Sequence, residues 1–160
     1  YNIIATRLIA QTPQYTELYA NSKPRALVVS AYRNVVIHDF TVLGDPYYDY
    51  QEQPMIGIQY KARNVTISQL KMSGFRQAKT DIQIFGGENG AEDVRLRDIR
   101  IEDSAKHGIT IGPDINRVKL TNVALKGEGT VGLNAKSEPE MERFIATGFK
   151  VPIRAQSTQA

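Results

Sequence analysis

The chain has 160 residues, 41% of them hydrophobic, with 20 basic against 17 acidic side chains and no cysteine. That length suits one ordinary domain whose core needs neither disulfide nor metal, and the lack of cysteine excludes a disulfide framework, a thiolate metal site and a thiol nucleophile. The net charge of +3 is spread over interspersed residues and no apolar run approaches the roughly 18 residues of a membrane span, so neither a nucleic-acid partner nor membrane insertion is implied.

The chain opens at Tyr1 inside a repeating pattern, without a methionine, which leads us to expect a piece of a longer protein. Ile3, Ala5, Leu8 and Ala10 form a weak first copy of an apolar template, V-x-I-x-x-L-x-V. Fuller copies follow at Val35, Ile37, Phe40 and Val42; at Val65, Ile67, Leu70 and Met72; at Val94, Leu96, Ile99 and Ile101; and at Val118, Leu120, Val123 and Leu125. Pro139, Met141, Phe144 and Ala146 make a weak last one. Each copy is followed by a second short alternating segment: ALVVS (26–30), GIQY (57–60), DIQIF (81–85), GITIG (108–112), GLNA (132–135) and PIRA (152–155). Period two puts Ile58 with Tyr60, Ile82 with Ile84, Ile109 with Ile111 and Leu133 with Ala135 on one face.

The slip inside the template marks a bend between consecutive strands, occupied by Asp39, Gln69, Asp98 and Asn122, polar residues of the kind found at unusual backbone angles. The template also fits a helical turn, but β-branched residues and bounding Gly, Asn, Asp and Pro favour strands. The expected fold is therefore all-β: a right-handed parallel β-helix of about six coils, with three short strands per turn. It fills residues 1–155 as one domain with a polar tail at 156–160, and its coil starts are spaced by 32, 30, 29, 24 and 21 residues, a taper toward the C-terminus.

These runs, most cleanly RNVTISQLKM (63–72) and HGITIG (107–112), resemble the pectin-lyase-like right-handed β-helix superfamily, which includes pectin and pectate lyases, polygalacturonases, alginate epimerases and trimeric phage tailspike depolymerases. The resemblance covers essentially the whole chain and is specific for fold. It implies a polysaccharide partner, a homotrimer or flanking domains, and an extracellular or virion-surface location. Reaction chemistry on such a scaffold depends on the sites grafted onto it.

The two longest connections, 11–25 and 43–55, leave adjacent coils from one corner and are expected side by side. They carry Tyr15, Tyr19, Tyr47, Tyr48, Tyr50 and Glu52 as sugar-binding candidates, and Asp45, Asp49 and Glu17 as candidate catalytic carboxylates. Tyrosine offers a flat apolar face with a polar rim, and paired carboxylates supply the acid and base or nucleophile of glycoside hydrolysis. The same loops equally suit a subunit contact or plain surface packing. EDSAKHGITIG (102–112) and KTDIQI (79–84) resemble the G-H-G-I-S-I-G and N-T-D-G-I stretches of polygalacturonases, but Lys106 replaces the first glycine, and the Asp-Asp pair and R-x-K are missing. His107 then reads as a turn residue, with Asp81, Asp103 and His107 a fallback acid/base set near one edge.

Lys71, Arg95, Arg97, Arg100 and Lys119 form an outward basic group that suits either an acidic polysaccharide or a solvated face, and Gln59, Gln83, Thr110 and Asn134 an outward polar ladder. No phosphate loop, zinc motif or nucleophile elbow is present, so neither a cofactor nor a metal is expected. Two functions remain: a carbohydrate-binding or carbohydrate-degrading β-helix of tailspike type, or a non-enzymatic structural module of a virion or surface assembly that uses its tyrosine loops as a subunit interface.

Overall fold

The structure, a computed structural model, describes residues 3–11, 25–44, 54–76 and 78–155. Within them the apolar template becomes β1 (Ile3–Gln11), β3 (Arg33–Leu43), β5 (Arg63–Ser73), β7 (Glu92–Ser104), β9 (Val118–Gly127) and β11 (Glu140–Thr147). The second segments become β2 (Leu27–Ser30), β4 (Pro54–Gln59), β6 (Thr80–Ile84), β8 (His107–Ile111), β10 (Val131–Ala135) and β12 (Val151–Ala155). Odd strands form one six-stranded sheet and even strands the other, every pairing parallel and each strand beside its copy one coil away. The fold is a parallel β-solenoid.

Register follows the template. Ile3 stands against Val35, Val35 against Val65, Val65 against Val94, Val94 against Val118 and Leu120 against Met141, so successive coils advance by 32, 30, 29, 24 and 21 residues. The inward column from Val35 to Leu125 is at most 3% exposed. At roughly 1.5–3 kcal/mol for each fully buried large apolar side chain, stacking like residues on like is the main stabilising term. About four turns run continuously through 63–76 and 78–155, against the six coils expected. The turns that begin with β1 and β3 pass through 12–24 and 45–53, which lie outside the described residues.

The bend is real, but it does not split the template. Asp39, Gln69, Asp98 and Asn122 have φ between 51° and 59°, as do Arg7 and Arg143, and each strand runs unbroken through its left-handed residue. A turn of the coil thus holds two strands, the first of them bent, where three were expected. Asparagine and aspartate take this backbone region more readily than most residues, which accounts for three of these six positions; glutamine and arginine fill the others.

Two face assignments change. Tyr60 does not share the core with Ile58; β4 ends at Gln59, Tyr60 turns the corner with φ 40° and is 52% exposed, and Ile56 takes the inward place. Gln59 is not in the outward ladder either: Gly57 pairs with Gln83, which pairs with Thr110 and then Asn134. Gln59 instead accepts a 3.0 Å hydrogen bond from Arg25 Nη1.

Candidate functional site

At the corner where odd strands pass to even ones, most coils turn on glycine. Gly74 has φ +87° and lies so close to Gly44 that a Cβ would come 2.6 Å from the Gly44 carbonyl oxygen, while Gly127 and Gly148 pack in the same manner further along. The coil of β7 departs from this. Ile101 pairs with Leu125 but Ser104 with Gly127, so Glu102 and Asp103 together oppose a single residue, Lys126. Such a bulge re-aims side chains. Asp103, at φ 64°, faces out, and Ser104 is buried.

The bulge forms one wall of an open cleft of about 620 Å³ lined by Arg76, Glu102, Asp103, Ser104, Lys126, Glu128 and Thr147. Arg76 Nη2 lies 3.4 Å from Asp103 Oδ1 across adjacent coils. Three carboxylates and two cations thus alternate around the opening, an arrangement that can bind hydroxyl-rich or mixed-charge ligands through directed hydrogen bonds.

Beneath this wall lies Asp81, 1% exposed. Its Oδ2 accepts the hydroxyl of Ser104, and its Oδ1 has no partner among the described residues. Burial pushes its carboxyl up to about 8; the Ser104 hydrogen bond opposes this and the Asp103 charge adds to it. Asp81 is therefore protonated at neutral pH. Enclosed in this way, it acts on the wall of the cleft rather than on a bound molecule.

Of the fallback set, the structure brings Asp81 and Asp103 together through Ser104. His107 starts β8, paired with Thr80 and Val131. Burial lowers its pKa, and the charges that act on it are the cations Arg154, Lys79 and Lys106. It stands apart from the carboxylates, as a turn residue would. Asp45, Asp49, Glu17, Tyr15, Tyr19, Tyr47, Tyr48, Tyr50 and Glu52 lie outside the described residues. The strand ends that precede them, Gln11 and Leu43, are in register with each other and with Ser73, on the cleft's side of the coil stack.

The outward basic group is divided. Arg95 is held by Thr66 at 3.1 Å, by Asp93 at 2.7 Å and by Asn64, whereas Lys71, Arg97, Arg100 and Lys119 are exposed. No group of side chains suited to a metal occurs among the described residues. Sequence reasoning missed Arg76, Ser104, Lys126 and Glu128. The available signal was the template's tail: Leu43-Gly44, Ser73-Gly74, Lys126-Gly127 and Thr147-Gly148 end on glycine, but Glu102-Asp103 does not.

No known family model matches the chain. It is 33% identical over 154 residues to the pre-neck appendage protein of Bacillus phage B103, covering 92% of this chain and 18% of that protein. It is 29% identical over 164 residues to the preneck appendage protein of Bacillus phage PZA, covering 98% and 19%. A putative phage-related protein, YobO, of Bacillus subtilis (strain 168) is 38% identical over 136 residues, 84% of this chain and 17% of that protein. The crystal structure of the pre-mature bacteriophage phi29 gene product 12 matches with a TM-score of 0.79 and 28% identity, covering 99% of this chain and 21% of that one. The chain thus spans about a fifth of the length of the proteins it resembles.

Proposed function

We propose that the chain is a rigid β-helical segment of a phage virion appendage, a structural module located on the particle. One observation carries this reading: the similarity to pre-neck appendage proteins extends over 98% of the chain, so it covers the whole stack of coils. A solenoid whose coils contact only their neighbours also suits a rod-like part, since stability adds coil by coil along its length. The test is immunogold labelling of particles purified from a lysate of the strain encoding the chain, with antibody raised against these 160 residues. Label on an appendage is expected; particles free of label would sink the reading.

A second reading is favoured by the cleft. Its carboxylates Glu102, Asp103 and Glu128 sit on the side where the long connections depart, which supports a tailspike-type protein of the pectin-lyase-like kind that binds or cleaves bacterial surface polysaccharide. Asp45, Asp49 and Glu17 would then supply the acid and nucleophile, the loop tyrosines would hold sugar rings, and the chain would work as an extracellular homotrimer. Incubation with capsule and lipopolysaccharide preparations tests this. Polymer loss that Asp45→Asn or Asp49→Asn abolishes supports cleavage. Intact polymer, with a stable oligomer that Tyr48→Ala disrupts, leaves the loops as a subunit contact.

A further inference from the structure

Each coil must also turn from the second sheet back to the first, at the corner opposite the cleft. Later coils make that turn with residues suited to it: Gly87 at φ +85° and Asp114 at φ 56°. The first two described turns use Ala31 at 63°, Tyr60 at 40° and Lys61 at 58°. A bulky side chain at positive φ is an outlier that glycine would relieve, and such strain persists where surrounding structure holds it, often at binding sites.

Here the surroundings hold it firmly. Ala31 N donates to Tyr60 O at 2.8 Å, Arg63 N to Tyr32 O at 3.0 Å and Lys61 N to Asn89 O at 3.0 Å. From this fixed backbone two rings project on adjacent coils, Tyr32 46% and Tyr60 52% exposed. Lys61 Nζ lies 5.7 Å from the centre of the Tyr60 ring. One step along, Asn64 Nδ2 donates to Asn34 Oδ1 at 2.7 Å, which sets two amides beside the rings.

We propose that Tyr32 and Tyr60 form a stacking platform for the pyranose rings of a glycan lying along the coil axis. Rigid tyrosines present a large amphipathic surface at low entropic cost, and adjacent coils lie about 4.8 Å apart, so an extended sugar chain meets both rings. The Lys61 ammonium and the asparagine amides supply hydrogen bonds to ring hydroxyls. The site lies across the coil from the cleft and takes only its ligand class from the carbohydrate reading. Cleavage is read as polymer loss and the platform as binding, so either can fail alone.

Calorimetry and saturation-transfer NMR on the 160-residue chain, with maltohexaose and chitotetraose as probes, test the platform. Binding of at least one probe is expected, weakened tenfold or more by Tyr60→Gly and by Tyr32→Ala and retained by Tyr60→Phe. Tyr60→Gly should melt no lower than the parent, because glycine relieves the strain; this separates loss of the ring from loss of the fold. Binding of neither probe, or unchanged binding by Tyr60→Gly and Tyr32→Ala, overturns the proposal.

Discussion

The hydroxyl of Ser104 closes on the carboxyl group of Asp81 one coil below, in a place where both residues are 1% exposed. The contact joins a bulge at the surface to the interior of the solenoid. It also makes the stability of this corner depend on a proton.

Asp81 titrates at about 8 in the folded chain against an ordinary value of 3.8. Between those limits the folded state keeps a proton that the unfolded state has released, so stability is greatest below about pH 4 and falls until about pH 8, where the effect levels off. The slope approaches about 1.4 kcal/mol per pH unit at most. Urea unfolding at several pH values should show this decline in the parent and a flatter line in Asp81→Asn. Equal slopes would refute the assignment.

The left-handed bend gives a sign test at one position. Gln69 has φ 53°, so Gln69→Val should destabilise by about 1–2 kcal/mol, while Gln69→Gly stays near neutral. Thermal melts of the two variants decide it. A valine variant as stable as the glycine one would mean that the bend relaxes freely.

Close approach of coils at the cleft corner sets a further expectation. A Cβ on Gly127 would lie 2.8 Å from Ser104 Cβ and against the Ser104 backbone, so Gly127→Ala should cost about 1–3 kcal/mol. Since Ser104 is the group displaced, the pH dependence assigned to Asp81 should shift with it. Denaturation of Gly127→Ala at two pH values measures both.

Equivalent positions in the middle and at the end of the stack should differ in cost. Leu133 is fully buried, whereas its register partner in β12, Ile153, is 41% exposed. Leu133→Ala should lose about 2–5 kcal/mol and Ile153→Ala less than about 1 kcal/mol. Equal losses would indicate that the last coil is covered in solution.

Much of the fold was legible because its template recurs: Val65, Val94 and Val118 fall in one register column, and no other arrangement buries them together. The errors have local causes. In GIQY the alternation runs one residue past the strand, because the turn closed by Ala62 N on Gln59 O begins there, and this misplaced both Tyr60 and Gln59. Asp81 reads as an outward neighbour of Gln83, yet its register partners Gly108 and Gly132 face core groups, Leu125 and Ala146. The corner twists that column inward, and period two does not encode a twist. The cleft depends on a one-residue bulge that leaves the apolar pattern intact, so only the missing glycine after Glu102 marks it. The long connections carry no period, so composition is all they offer to a reader of sequence.

The ladder bonds of the two sheets run along the solenoid axis, from Ile3's strand to its neighbour and on to β11 and β12. Every coil is therefore a link in series. A pull on the ends is borne by the weakest turn alone, and the rod should peel one coil at a time. A push is carried by the filled column of side chains between coils, which resists compression as a close-packed solid does. A part built in this way transmits thrust far better than tension.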